Sequence, residues 1–239
     1  MKAILSLLFL AILLVSGWTG YKKGLIMGVG SLLAFIISIY GANLLSTTFS
    51  SEIIPALRPF ASGYVETEVV TKQVRPALGI DSTNLSIEDY LAQNPGKEPE
   101  FCTLIYENMG IYQATAAQMA AEAMEYADQF DVTTEEAVVE VLCLRVSYVG
   151  GFILAFLLLI IVLTVIGNIP NLSFKIPNLD LLNDAGGAVL GLVQGVCFCL
   201  VISWGLKFTG LFLPQETLSS TFLVSWFMKA NLLTSYLGI

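Results

Sequence analysis

Long apolar stretches separated by polar ones dominate the pattern along the chain. Three of them carry no charged residue over 19 to 22 positions: Gly24 to Leu45, Val149 to Gly167 and Ala185 to Leu206. About 20 residues at about 1.5 Å per residue cross the roughly 30 Å hydrocarbon core of a bilayer, so each is long enough for a transmembrane helix. A shorter apolar run, about 3–17, precedes them. The pattern predicts an all-α membrane protein with four transmembrane helices.

The first apolar run has two interpretations. A lysine before an apolar core and small residues after it are also the layout of a cleaved secretory signal peptide. Lys22 and Lys23 follow at once, and a positive pair directly after the core opposes translocation. We therefore favour an uncleaved hairpin, with spans at about 3–17 and 24–45 folded about the lysine-bearing turn.

The lysines also predict an orientation. The positive-inside rule places Lys22 and Lys23 in the cytoplasm, together with Lys175 in the loop between the third and fourth spans. Both chain termini, and the polar segment between the second and third spans, are then predicted to lie outside the cytoplasm.

Residues 47–146 form a polar insert between the second and third spans. The insert holds 16 acidic and 5 basic residues, a net charge of −11, whereas the other 139 residues hold 3 acidic and 6 basic, a net charge of +3. The overall charge of −8 therefore averages two unlike parts. Neither part forms the basic stripe that nucleic-acid binding needs, so no nucleic-acid partner is expected.

The insert is predicted to be mostly helical. Ser86 with Asp89, and Thr133 with Glu136, have the spacing of capping boxes that begin helices. The alanine-rich residues 114–127 also favour helix. The helix that begins near Thr133 is predicted to run unbroken into the third span.

Small residues recur at every fourth position in two regions. They are Gly20, Gly24 and Gly28 at the start of the second span, and Gly187, Gly191 and Gly195 in the fourth. In lipid, helices approach closely where small residues let their backbones touch. We therefore predict a compact bundle packed through these faces, and self-association or contact with other membrane proteins. The alternative is that glycine is simply commoner in membrane helices.

Few residues suggest chemistry. Gln194 either hydrogen-bonds to a neighbouring helix, which we favour, or lines a polar path. Cys102 and Cys143 lie in the insert, where a disulfide is chemically permitted if that region is outside the cytoplasm. Histidine is absent, and no phosphate-binding loop or paired-cysteine metal motif occurs. The sequence predicts no catalytic residue, no cofactor and no metal.

The predicted organisation has four parts. They are a transmembrane hairpin (1–46), the acidic extracytoplasmic insert (47–146), a second transmembrane pair (147–207, with spans at about 149–167 and 185–206) and a tail (208–239). The tail is amphipathic and is predicted to lie in the membrane interface. A fifth span is disfavoured because Lys229 would lie at its centre.

Two motifs resemble those of a known family. Residues 18–26 read Trp-Thr-Gly-Tyr-Lys-Lys-Gly-Leu-Ile, and residues 182–195 read Leu-Asn-Asp-Ala-Gly-Gly-Ala-Val-Leu-Gly-Leu-Val-Gln-Gly. The first resembles the first-loop motif of the colicin V production protein (CvpA) family, and the second resembles the motif at the start of its last helix. Family members often carry a lysine or arginine where Gln194 stands, and the insert is longer here than in typical members.

The resemblance implies a bacterial multi-pass protein of the cytoplasmic membrane, associated with production or export of the bacteriocin colicin V and with tolerance of envelope stress. Our leading hypothesis is a non-enzymatic membrane protein that supports toxin production or export and envelope homeostasis. One alternative is an oligomeric channel or transporter for small solutes, with its path near Gln194. Another is a scaffold or receptor that binds an external protein partner through the acidic insert.

Overall fold

The computed structural model describes residues 2–80, 86–168, 180–208 and 222–229, and all regular secondary structure in them is helical. The α-helices are α1 (Lys2–Tyr64), α2 (Arg75–Ala77), α3 (Ile87–Gln93), α4 (Glu98–Asn108), α5 (Gln113–Phe130), α6 (Thr134–Asn168), α7 (Asp180–Leu206) and α8 (Phe222–Lys229). A π-helix, Val65–Val74, follows α1 directly, and a 3-10 turn, Pro95–Lys97, precedes α4. The predicted all-α class is therefore confirmed for these residues.

Gly24 divides α1 into two arms. Its backbone angles, φ 75° and ψ 177°, lie outside the helical region and in one that glycine adopts without strain. Gly17, seven residues before the break, lies against Leu192 of α7, and Ser31, seven residues after it, contacts Gln194. Both positions meet the same turn of α7, so the chain reverses its direction at Gly24 and α1 is a helical hairpin.

We call residues 2–23 the first arm and residues 25–64 the second arm. The polar residues 16–23, predicted to form the turn, are helical instead, and the reversal falls just after them. Their side chains are compatible with a helix because hydroxyl groups bond to the preceding turn, as Thr19 Oγ1 does when it donates to Ser16 O at 3.0 Å. The prediction placed the turn too early because it treated polarity as a helix end.

Three helical stretches in the described part of the chain are long and apolar enough to cross a membrane: Ile4–Ala77, Thr134–Gly167 and Leu181–Leu206. Each is longer than its charge-free part, and in α6 that part begins after Arg145. Length and composition identify three such helical stretches, so the arrangement of four spans stays a prediction.

The chain divides into two compact units. The apolar unit comprises Met1–Ser46, Gly151–Leu206 and Glu216–Ile239, and the insert unit comprises Thr47–Gly150 and Lys207–Gln215. Both α1 and α6 contribute residues to each unit. Which unit lies in the membrane and which outside the cytoplasm stays a prediction at this point.

Aromatic rings pack the middle of the apolar unit. The ring of Phe35, on the second arm, lies 5.4 Å from that of Phe156 on α6 and 4.7 Å from that of Phe198 on α7, both edge to face. Phe152 and Trp204 make a further edge-to-face pair at 5.1 Å. Such pairs contribute about 0.5–1.5 kcal/mol each beyond the area that they bury. They join the second arm, α6 and α7.

The insert unit has an apolar core of its own. The core includes fully buried residues from the π-helix, α4, α5 and the start of α6: Val65, Val69, Val74, Phe101, Ile105, Tyr106, Ala116, Ala123, Ala137 and Val138. The one polar atom of the Tyr106 side chain is satisfied, because its hydroxyl donates to Val138 O at 3.0 Å.

Both predicted capping boxes begin helices as expected. Ser86 Oγ accepts a hydrogen bond from Asp89 N at 3.0 Å at the start of α3. Thr133 Oγ1 accepts from Glu136 N at 3.2 Å at the start of α6. Helix α6 then continues without a break from Thr134 to Asn168, so the predicted continuous helix is confirmed.

The tail is described only over α8. Val224 and Phe227 are buried there, and the Phe227 ring lies 5.7 Å from that of Phe9 on the first arm. Trp226 is 60% exposed, so it lies on the outer side of the helix. The rest of the predicted tail, apart from Phe208, lies outside the described residues, and the interfacial location stays a prediction.

Candidate functional site

The most closely packed place in the apolar unit is where the first arm crosses α7. A Cβ atom built on Gly20 would lie 2.7 Å from Gly191 Cα, and one built on Gly191 would lie 2.9 Å from Gly20 Cα. A Cβ on Gly187 would lie 2.7 Å from Gly24 Cα. Each of these atoms would meet backbone, which cannot move aside as a side chain can. Glycine at Gly20, Gly187 and Gly191 therefore sets how closely the helices approach.

The outer glycines of the two repeats meet side chains instead. A Cβ on Gly28 would lie 3.1 Å from Leu190 Cδ1, and one on Gly195 would lie 2.9 Å from Ser16 Cβ. Gly30, two residues beyond Gly28 on the second arm, has nothing within 4 Å. Contact is thus closest at Gly20, Gly187 and Gly191 and looser at the last glycine of each repeat. We call the contact of the hairpin with α7 through these glycines the glycine interface.

Asn183 holds the reversal of the hairpin. The residue is only 5% exposed, and its Oδ1 accepts a hydrogen bond from Leu25 N at 3.0 Å. The first amide groups of a helix have no partner within it, and Leu25 begins the second arm, so Asn183 supplies an N-terminal cap from a different helix. A Cβ on Gly24 would lie 2.9 Å from Asn183 Oδ1. The cap thus needs glycine at the reversal for two reasons, backbone conformation and space.

Sequence reasoning quoted Asn183 within a motif but assigned it no role. The usual N-cap pattern looks for a capping residue adjacent in sequence to the helix that it caps. Here the cap and the capped amide are 158 positions apart. Two features of the sequence are in keeping with the contact: an asparagine at the start of one apolar span and a glycine at the start of another.

Gln194 joins the same interface. Ser31 Oγ donates a hydrogen bond to Gln194 Oε1 at 3.1 Å and lies 2.9 Å from Gly28 O on its own helix. Gln194 therefore bonds to the second arm in the manner of polar residues between membrane helices. It links α7 to this arm, while Gly187 and Gly191 link α7 to the first arm and to the reversal.

The paired lysines lie at the end of the hairpin. Both Lys22 and Lys23 are exposed, and Lys22 Nζ lies 5.3 Å from the centre of the Trp18 ring. Neither lysine is among the residues that an added Cβ on these glycines would meet.

A cleft of about 580 Å³ lies on the insert unit between the end of the second arm, the π-helix and the start of α6. Its lining includes Arg58, Glu66, Glu88, Tyr126, Glu135, Glu136 and Glu140. Two hydrogen bonds of 2.9 Å join the Arg58 guanidinium to the Glu140 carboxylate. The remaining carboxylates outnumber the cations of this lining, so the cleft is acidic.

The pKa of Glu135 is affected by this acidic surrounding and by burial. The residue belongs to the insert unit, outside the charge-free part of α6. Burial raises its pKa above the ordinary value, and the nearby carboxylates of Glu66 and Glu88 raise it further, while Arg75 opposes the shift. Within the ranges described, no group of three or more acidic, cysteine or histidine side chains is placed to hold a metal ion.

Cys102 and Cys143 lie in the core of the insert unit. Both are buried, and both are free thiols in this structure, so the disulfide that the sequence permits is not formed here. Burial, with a smaller contribution from Glu98, raises the pKa of Cys102 to about 12. A thiol with such a pKa is almost entirely protonated near neutrality and is a poor nucleophile.

Long apolar helices packed through glycine backbones are typical of helical membrane proteins, and that is the class which the fold and the glycine interface indicate. The model of the family described as "Colicin V production protein" matches residues 113–231. The chain belongs to the colicin V production protein family through this region, which extends from α5 to α8. The family predicted from the motifs is therefore confirmed. No curated protein and no solved structure matches the chain.

The match covers one side of the glycine interface. Residues 182–195, with Asn183 and the glycines of α7, lie inside it, and residues 18–26 of the hairpin lie outside it. The resemblance of the first motif therefore stays a prediction. The structure nevertheless brings the two motifs together, because Gly20 and Gly24 of one contact Gly187 and Gly191 of the other.

Proposed function

We propose that this protein is a multi-pass protein of the bacterial cytoplasmic membrane that supports production or export of a colicin V type toxin and envelope homeostasis, without catalysing a reaction. The family match supports the connection with toxin production. The observation that carries the structural part is the glycine interface, where backbone contacts backbone between the hairpin and α7. A bundle built in this way is a membrane-embedded support for the insert unit.

The proposed topology has four spans. The two arms of the hairpin and the charge-free parts of α6 and α7 cross the membrane, with Lys22 and Lys23 on the cytoplasmic side. The insert unit and both termini then lie outside the cytoplasm. The reversal at Gly24 supports two separate crossings within α1.

Cysteine labelling tests this orientation. In spheroplasts, a membrane-impermeant maleimide is expected to label a Gln93→Cys variant and not a Lys22→Cys variant; both positions are exposed in the structure. The unsubstituted chain is the background control, since Cys102 and Cys143 are buried. Labelling of the Lys22→Cys variant from outside would reverse the topology.

Toxin release tests the function. In a toxin-producing strain that lacks this chain, the wild-type protein is expected to restore the zone of growth inhibition and Gly191→Ile to fail, since the new side chain would meet the backbone of the first arm. The matched control is Gly30→Ile on the second arm, where an added side chain meets nothing within 4 Å. Full toxin release by Gly191→Ile at normal protein level would contradict a role for the glycine interface. No effect of the wild-type chain on toxin release would contradict the proposed function.

The cleft on the insert unit favours a second candidate, a scaffold or receptor for an external protein. Its lining carries both carboxylates and the apolar surface of Tyr126, Val132 and Val139, which suits a partner with basic and apolar side chains. A photo-crosslinking residue at Glu136 is expected to capture a partner in cells, whereas one at the exposed Gln118, outside the cleft, is not. Equal capture from both positions, or none from either, would count against the receptor.

An oligomeric channel near Gln194 has less support, because that side chain already accepts a hydrogen bond within the chain. The test is Gln194→Leu. A channel that uses this amide would lose solute flux in liposomes, and a packing residue would not change it. Absence of flux in the wild-type protein would remove the channel from consideration.

A further inference from the structure

The outer face of the hairpin end carries side chains that the glycine interface does not use. We call Trp18, Tyr21, Lys22 and Lys23 the headgroup patch. Trp18 is 62% exposed and Tyr21 45% exposed, and both lysines are exposed. Among the side chains that the structure describes, neither lysine forms an ion pair. Two positive charges and two large rings are thus presented outward together.

Three members of the patch are held in one arrangement by helix spacing, and Lys23 follows directly after them. Trp18, Tyr21 and Lys22 occupy positions i, i+3 and i+4, which share a face of a helix. The two rings are stacked with centroids 6.2 Å apart, and Lys22 Nζ lies 5.3 Å from the Trp18 centroid. An ammonium group over the face of a ring keeps donors free for a further partner.

The order of exposed residues along the first arm follows the layers of one membrane leaflet. Leu14 and Val15 are 63% and 60% exposed, the aromatic residues follow, and the lysines come last at the reversal. Trp18 and Lys23 are five positions apart, about 7.5 Å along a helix. The interfacial layer on each side of the hydrocarbon is roughly 5–8 Å thick, so this segment matches its depth. Tryptophan and tyrosine favour that layer, where lipid phosphates are also found.

We propose that the headgroup patch binds the phosphate groups of anionic phospholipids in the leaflet that the hairpin end faces. This inference rests on the membrane placement in the proposed function. Charge decides the class of lipid: two lysines without an ionic partner attract a net negative headgroup and gain little from a zwitterionic one. The stacked rings contribute contact with the glycerol region and fix the depth of the lysines.

Fluorescence quenching in reconstituted full-length protein tests the proposal. Two preparations of vesicles contain equal amounts of phosphatidylglycerol and phosphatidylcholine. In one preparation the phosphatidylglycerol carries bromine near the carbonyl end of its acyl chains, and in the other the phosphatidylcholine does. The contribution of Trp18 is the part of the quenching that disappears in Trp18→Phe. This subtraction leaves Trp204 and Trp226 untouched, and because Trp18 is exposed its replacement disturbs no core.

Brominated phosphatidylglycerol is expected to quench Trp18 several times more strongly than brominated phosphatidylcholine. Each lysine near an anionic surface accounts for about a fivefold preference. Lys22→Gln with Lys23→Gln is expected to abolish the preference. The control, Lys72→Gln with Lys97→Gln in the insert unit, removes the same charge elsewhere and is expected to retain it.

Equal quenching of Trp18 by the two lipids in the wild-type protein would overturn the proposal while leaving the membrane placement intact. Absence of quenching of Trp18 by either lipid would overturn the patch and the proposed membrane placement together. Because both outcomes are read in the wild-type chain against Trp18→Phe, they do not depend on how well the lysine variants fold.

Discussion

The two units of this chain are packed by opposite means. In the insert unit, large side chains such as Phe101 and Tyr106 are fully buried, and the helices are separated by the side chains between them. In the apolar unit, the first arm and α7 contact each other where side chains are missing, at Gly20 and Gly191. Aromatic residues such as Phe35 are buried there too, but many large aliphatic residues are exposed, as Leu154 is at 72%.

The difference agrees with the proposed placement, in which the apolar unit lies in lipid and the insert unit in water. Water drives apolar side chains of the insert unit inward, and burial of apolar area stabilises the fold. Lipid is as apolar as leucine, so burying leucine in the apolar unit adds little, and close backbone packing with hydrogen bonds between helices contributes instead. A substitution therefore has opposite consequences in the two units: loss of a large residue harms one, and gain of a side chain harms the other.

The largest effect is expected from Phe101→Ala. Phe101 is fully buried in the core of the insert unit, and its truncation is expected to lower the free energy of unfolding by about 3–5 kcal/mol through lost burial and the cavity left behind. Hydrogen exchange of the full-length protein in detergent, followed over α4 and α5, measures this. Phe130→Ala, at a position 54% exposed, is the control, and an equal loss in both variants would refute a side-chain core.

A smaller loss of stability is expected from Gly20→Leu, which adds a side chain instead of removing one. Its Cβ would meet the backbone of Gly191, and overpacking of this kind costs about 1–3 kcal/mol. The thermal midpoint of the detergent-solubilised protein reports the loss. Gly30→Leu adds the same side chain to an open position and is expected to leave the midpoint unchanged. If both variants melt alike, close backbone packing does not hold the apolar unit.

Asn183→Ala tests the polar part of the apolar unit. Removal of the cap on Leu25 N is expected to cost about 1 kcal/mol. The amide of Leu25 is then expected to exchange faster in the alanine variant than in the wild type. Unchanged exchange in Asn183→Ala would show that the cap does not hold the reversal.

Sequence patterns predicted the parts of this structure that depend on local chemistry. Apolar length identified the long helices, and Ser86 and Thr133 marked helix starts because their capping partners lie three residues away. The same reasoning placed the turn of the hairpin over polar residues, whereas the reversal needs a positive φ and therefore falls at Gly24. Polarity indicates where water or headgroups lie, and backbone conformation decides where a helix stops.

Features that join distant segments were harder to predict. The glycine repeats indicated two packing faces, and only the structure pairs Gly20 with Gly191 and Asn183 with Leu25. No sequence pattern predicted the π-helix Val65–Val74. Its four valines are buried, so we attribute it to tertiary packing rather than to a local preference of the sequence. The acidic cleft was likewise missed, because Glu66, Glu88 and Glu135 come from separate elements that only the fold brings together.

The smallest effect is expected in the cleft, where the insert unit departs from a purely apolar core. The pKa of Glu135 is raised in the folded chain, mainly by burial, so the folded state holds its proton to higher pH than the unfolded state does. Below the ordinary pKa of 4.5, Glu135 is protonated in both the folded and the unfolded state, so its ionisation does not affect stability there. As the pH rises from 4.5 through the raised pKa, the unfolded state loses the proton first and the folded state loses stability. Glu135→Gln is expected to remove that loss, so its advantage over the wild type in urea midpoint grows between pH 4 and pH 7. The control is Glu52→Gln, outside the cleft. An advantage of Glu135→Gln that is constant with pH would show that burial does not raise the pKa of Glu135.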